Sequence, residues 1–408
     1  MPVTFQKTRL DNGLTIIAEL NDDAHTSAVG FFVNVGTRDE TPDIMGVSHF
    51  LEHMMFKGTA RRSADDVNRE FDQIGADYNA STSQETTLYY AHVLPEFLPR
   101  AIDLLGDMLR PALRDADFQT ERQVILEEIG MYADRPFWVA YENAMERFYN
   151  GHPLGFRILG PHEVISNLPV EQMRDYFNQR YSPDNMVVAL AGHIDFDAAV
   201  EQIRQQCGGW KPTGIHRRYI DPSLRFVEHV HADAKLKQHY VALLVPGPAR
   251  QGDDRYAAAV LSQVIGDSDG SRLYWALTDP GLAEEVEFTH QPFDRAGSFM
   301  AYVSCAPENA AKVEGILFDV LDRAGDDLND GEVERARNKI ATELMLQGER
   351  PAGRMMGLGG SWLATGDYRP LEEELARVMA VDAGALRNLV ARYPLNRRTI
   401  VRCTPASA

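Results

Sequence analysis

Apolar and polar residues alternate with a period of two on either side of Asp11-Asn12-Gly13, which predicts a hairpin over 3–10 and 14–20. A third strand is expected over 28–35. From residue 47 the apolar period becomes helical, giving helices over 47–56 and 63–74. Strands at 76–82 and 86–93 follow, then helices at 95–109, 115–132 and 136–149. A helix at 170–180, a strand at 185–191 and a helix from Asp197 complete the first half. The fold class implied is α+β, with helices gathered against a mostly antiparallel sheet.

The second half repeats this order. VALLV at 241–245 echoes VGFFV at 29–33, and an apolar helix over 255–265 stands where the helix over 47–56 stands in the first half. LNDGEVERARNKIATEL from Leu328 matches LRDADFQTERQVILEEI from Leu113, which lays Glu343 on Glu128. Two homologous domains are therefore expected, 1–207 and 222–408. The segment 208–221, GGWKPTGIHRRYID, reads as a linker from its Gly, Pro and charged content.

A chain of 408 residues can bury two full cores, and 44% apolar with 25% charged residues is the composition of a globular protein. The net charge of −19 argues against a nucleic-acid or anionic-membrane partner; it serves solubility and would not repel a basic or unfolded polypeptide. No run approaches the roughly 18 apolar residues of a membrane span, and the first residues lack a basic segment followed by an apolar one. A cytoplasmic location is expected, or a periplasmic one if a leader was removed. Cys207, Cys305 and Cys403 are widely spaced without a Cys-x-x-Cys pattern, so they are expected to be inert, buried or partly buried thiols.

Chemistry enters at His49-x-x-Glu52-His53. Residues four apart on a helix share a face, so both imidazoles can address one metal ion, and Glu52 projects from nearly the same face, able to hold a water without being a ligand. A structural pair of histidines would give the same five letters. A catalytic zinc normally takes three protein ligands, so a third donor must come from elsewhere. Glu121 and Glu128 lie two helical turns apart on one face of the helix over 115–132, whereas Glu127 is turned about 100° from Glu128. Taken alone, that stretch could equally be a solvated acidic surface.

Together these segments resemble the pitrilysin or insulinase-like zinc peptidases, the M16 family, nearest its bacterial processing-peptidase-like branch. The resemblance spans nearly the whole chain: HFLEHMMFKGT from His49, GADYNASTSQETTLYY from Gly75, ERQVILEEI from Glu121, PLGFRILGP from Pro153, and the duplicated halves. It implies the inverzincin arrangement, with Zn2+ bound by His49, His53 and Glu128, Glu52 as general base, and Glu121 supporting the site from behind. It further implies that the strand around 77–84 receives an extended peptide substrate as an added strand, with Asn79, Ala80 and Thr82 nearest to it.

One stretch departs from the family. Active relatives carry an Arg and a Tyr seven residues apart in the second half, in a stretch like R-E-K-R-G-L-A-Y, which hold the substrate; here Leu277 and Glu284 occupy those places. Arg272 reads as the structural Arg that precedes them. The expectation is a heterodimer in which a homologous partner subunit supplies the Arg/Tyr pair. The competing readings are a gap misplaced in this comparison, so that another Arg and Tyr serve in cis, a non-catalytic structural or peptide-binding subunit, and a hydrolase of non-peptide substrates. Of the remaining features, His229 and His231 are expected on an exposed strand, Gly357-Leu-Gly-Gly360 as a turn or hinge, and Met345, Met355 and Met356 in the core.

Overall fold

The computed structural model describes residues 3–326 and 328–406. Six strands, β1 (Thr4–Arg9), β2 (Thr15–Leu20), β3 (Ser27–Val33), β4 (Asp77–Thr82), β5 (Thr87–Val93) and β6 (Met186–Gly192), form one sheet in the order β1-β2-β6-β3-β5-β4. All neighbours are antiparallel except β2 and β6. Five more, β7 (Glu228–Asp233), β8 (His239–Pro246), β9 (Glu285–Phe293), β10 (Ala296–Cys305) and β11 (Thr399–Pro405), form a second sheet in the order β7-β11-β8-β10-β9, again with a single parallel pair, β7 with β11. Apart from β1, the second sheet repeats the first strand for strand. The α+β class and the duplicated halves are thus both present in the fold.

The chain forms two compact units, but not by a single cut. The first comprises the segment up to Ile129, Arg157–Arg218 and Leu346–Tyr368; the second comprises Gly130–Phe156, Tyr219–Met345 and the segment from Arg369. The change at 218/219 falls inside the expected linker. The two exchanged segments have a physical reason in the sheets. Every residue of β3 and β6 is buried, so these strands need cover on both faces. Helices of the first half supply one side, with Phe50, Leu51, Ile102, Leu105 and Phe118 in one large cluster. The other side is closed by the helix Pro351–Thr365, whose Met355 and Leu358 pack on Ile17, Phe32 and Val187. In the second unit the helix Pro136–Tyr149 does the same, setting Ala140 and Ala144 against Ala242, Leu244 and Val401.

This packing corrects two expectations. Gly357-Leu-Gly-Gly360 is not a turn but lies inside the helix Pro351–Thr365, where the absence of a side chain lets the helix approach the sheet: a Cβ on Gly359 would come within 2.2 Å of the Phe32 ring. Of the three methionines, only Met355 is core; Met345 and Met356 are exposed. His229 and His231 lie on β7 as expected, but are half-buried. The three cysteines are buried and unpaired. No described helix is long and apolar enough to cross a membrane.

β4 ends the first sheet, so its outer edge is not paired within it. Its even-numbered residues Tyr78, Ala80 and Thr82 turn inward while Asp77, Asn79 and Ser81 are exposed, the period-two alternation of a strand with one covered face. Replacing Gly359 by Val should push the helix Pro351–Thr365 off Phe32 at a cost of about 1–3 kcal/mol. Thermal melting should then fall by several degrees, and an unchanged midpoint would show that this contact does not hold the helix.

Candidate metal centre

The helix Val47–Met55 begins at Gly46, whose φ of +93° turns the chain into it, and it buries Val47, Phe50, Leu51 and Met54. Phe50 stacks on Phe118 of the helix Asp115–Ala133 with ring centroids 4.6 Å apart and planes 5° from parallel. Both rings are fully buried, so this contact sets how the two helices meet. Near it, within these two helices, His49, His53 and Glu128 each present one potential ligand atom, all within 4.8 Å of one another. From Glu128 Oε2 the distances are 3.9 Å to His49 Nε2 and 3.6 Å to His53 Nε2. Donors about 2.1 Å from a tetrahedral zinc lie about 3.4 Å from each other, so the set fits the ion in both spacing and chemistry. Among the described residues it is the sole group of three His, Cys, Asp or Glu side chains close enough to do so.

Behind the donors, Glu121 Oε1 lies 2.8 Å from His53 Nδ1, and Glu121 Oε2 lies 2.6 Å from Lys57 Nζ. A carboxylate on Nδ1 places the proton there and leaves Nε2 free as a ligand. Glu121 is buried, and its seven-residue offset from Glu128 puts both on the inward face, while Glu127 is exposed. Lys57 was not anticipated; it lies in the turn just past the helix end at Met55, where no helical spacing marks it.

Burial sets the protonation states. It pulls the His49 imidazole down to about 3, reinforced by the neighbouring His53, so His49 is neutral and able to ligate. Burial also lowers His53, but the hydrogen bond and charge of Glu121, with Glu128 and Glu52, outweigh it and raise the ring above its ordinary value. For Glu121, burial would raise the carboxyl, yet His53 and Lys57 hold it below the usual range. Glu52 goes up, mainly by burial, although Thr82 opposes the shift.

Glu52 stands beside the donors without joining them. Its Oε2 accepts a 2.6 Å hydrogen bond from Thr82 Oγ1, at the end of the edge strand β4. Of the three expected substrate contacts, Thr82 is thus brought into the site and Ala80 lies on the same face, buried. Asn79 projects from the opposite, exposed face, and its Oδ1 accepts the Ala80 N–H at 2.9 Å.

Residues 15–162 match the family model "Insulinase (Peptidase family M16)" and residues 167–340 match "Peptidase M16 inactive domain". A protein named as an uncharacterized zinc protease in Mycobacterium tuberculosis is 35% identical, covering 96% of this chain and 91% of its own. The chain belongs to peptidase family M16. Another relative, the Bacillus subtilis protein named uncharacterized zinc protease YmxG, is 31% identical over 93% of both chains. In fold, a crystal structure of a protease from Helicobacter pylori superposes with a TM-score of 0.89 at 20% identity, covering 99% of this chain and 100% of that one.

Two measurements follow from this geometry. Glu121→Gln should weaken zinc binding about 10- to 100-fold in chelator competition, since the orienting partner of His53 loses its charge; unchanged affinity would mean that Glu121 does not tune the site. In the metal-free protein, His49 titrates near 3 when folded and near 6.5 when unfolded. The unfolded state therefore binds the extra proton, and stability is lost as pH falls from about 6.5 toward 3. The drop in melting temperature between pH 7.5 and pH 5, read in chelator, should be larger for the wild type than for His49→Gln; equal drops would contradict a neutral buried His49.

Proposed function

We propose that this M16 chain is a zinc endopeptidase subunit that hydrolyses extended or unstructured peptides, and that a homologous partner carrying an Arg/Tyr pair completes it. The observation that carries the reading is Glu52: a half-buried carboxylate with an elevated pKa, beside a three-donor metal set and hydrogen-bonded to the end of an edge strand. Zinc bound there would supply a Lewis acid that polarises the scissile carbonyl and acidifies the attacking water.

The rest is done by the chain. The outer edge of β4 offers main-chain hydrogen bonds to an extended peptide, which gives affinity with little demand on sequence and selects against folded substrates. Glu52 takes the proton from the water and delivers it to the leaving amine, a task suited to a carboxylate whose pKa burial has lifted toward the working pH. Thr82 fixes the carboxylate by donating its hydroxyl to Oε2, and its backbone adds a second hydrogen bond. Glu121 and Lys57 hold His53 in its ligating tautomer.

Support for a partner comes from the second unit. Leu277 is fully buried in the short π-helix Tyr274–Thr278, and Glu284 is an exposed carboxylate, so neither side chain offers a donor to a developing oxyanion. Arg272 is occupied by Glu332, with Nη2 to Oε2 at 3.0 Å. The absence of such a donor typically costs about 100- to 1000-fold in rate.

Both the wild type and Glu52→Gln should bind one zinc, and the variant should lose about 100- to 10,000-fold in cleavage of an unstructured peptide mixture. The wild-type chain alone should cut weakly, and a homologous subunit carrying the Arg/Tyr pair should raise its rate about 100- to 1000-fold. Ordinary turnover by the chain alone would remove the need for a partner. No Glu52-dependent cleavage with or without that subunit would sink the peptidase reading.

A further inference from the structure

Between β3 and the helix Val47–Met55, the segment 36–40 touches both elements whose meeting orients Glu52, and its contacts are almost all buried. On one side it holds the turn that follows β4. Thr37 N–H donates to Ser83 O at 3.3 Å and Arg38 N–H to Gln84 O at 2.8 Å. Gly36 sits so close to this turn that a Cβ there would come within 2.3 Å of Ser83 O. The Arg38 guanidinium meets Glu85 at 2.6 Å, with both side chains almost fully buried. Arg217 closes the ring, donating to Glu85 O at 2.6 Å and to Asp39 Oδ2 at 2.7 Å.

On the other side, the buried Glu40 carboxylate accepts from the two backbone amides at the start of the helix, Gly46 N–H at 2.7 Å and Ser48 N–H at 2.8 Å. These donors have no partner within the helix itself, and a two-oxygen clamp on them fixes where the first turn lies. Ser48 Oγ is tied in turn to Tyr176 at 2.8 Å, adjacent to the ligand His49. One five-residue segment therefore fixes the end of the edge strand and the start of the motif helix, and the Thr82–Glu52 hydrogen bond spans what it holds together.

We propose that Gly36–Glu40 is a positioning bracket for the active site, with Glu40 the residue that sets the motif helix and the Arg38–Glu85 pair the one that sets the β4 turn. The inference rests on the reading of Glu52 as general base. Its energetic logic is preorganisation: the base must be held within a fraction of an ångström of its working place, and a small displacement of the helix start moves His49 and Glu52 together.

The test is Glu40→Gln, which keeps size but offers one acceptor for two amides, compared with Thr82→Val and the double variant. In Glu40→Gln, backbone amide exchange in the zinc-free protein should speed up at 47–50 and 83–87. Zinc affinity by chelator competition should fall about tenfold. In the partner-complemented enzyme, kcat should fall about 10- to 100-fold with KM changed less than about threefold. The kcat loss of the double variant should be smaller than the product of the two single losses, because both act on the Thr82–Glu52 contact. Multiplying effects, or wild-type exchange and zinc affinity in Glu40→Gln, would overturn the proposal. Should the wild type show no Glu52-dependent cleavage, the peptidase reading fails, while exchange and zinc affinity still decide whether the bracket holds the helix. If Glu40→Gln does not fold, Arg38→Lys keeps the buried charge while shortening its reach, and should speed exchange at 83–87; unchanged exchange there would count against the bracket.

Discussion

Three donors carried by two helices far apart in the chain have to meet within one ion's reach, and what brings them there is an uncharged contact, the stack of Phe50 on Phe118. Each ring lies on the same helix as part of the donor set: Phe50 just after His49, Phe118 one turn before Glu121. The charged groups do not pull the helices together. Their burial is costly, and each is made tolerable by a neighbour: His53 by Glu121, Glu121 by Lys57, Glu52 by Thr82. Apolar packing supplies the position, and the polar chain supplies tautomer and charge.

The sheet imposes the second constraint. Strands β3 and β6 are buried throughout, so the first unit needs helices on both faces, and the second face is closed by a helix from the far half of the chain. With the centre of the sheet sealed, β4 is left as an edge beside the metal donors. The second unit repeats the strand order and the two-sided cover, yet at the helix Asp254–Gly266 it carries the fully buried Leu261 and Ile265 in place of histidines. The same architecture thus carries a three-donor set in one copy and apolar packing in the other.

Much of this was legible in the sequence because it is local. Period-two alternation gives β1 and β2 to within a residue, and helical spacing alone places His49 with His53 and Glu121 with Glu128. Tertiary choices were not legible. Glycines at 357, 359 and 360 favour a turn by propensity, and only the Phe32 ring beneath Gly359 explains why a helix is preferred there. The exchanged helices follow from the need to cover a second sheet face, which no local pattern announces. Asn79 and Thr82 look alike as polar strand residues, but alternation sends one to solvent and the other to Glu52. Glu40 and Lys57 are ordinary charges in the sequence, and acquire meaning only from what they touch.

Zinc K-edge X-ray absorption on the protein loaded with one equivalent of zinc tests the centre most directly. The account predicts two imidazole nitrogens at about 2.0–2.1 Å with carboxylate and water oxygens completing a four-coordinate shell, and the loss of one imidazole in His53→Gln. A shell containing sulfur, or one unchanged by His53→Gln, would place the metal elsewhere and contradict the account.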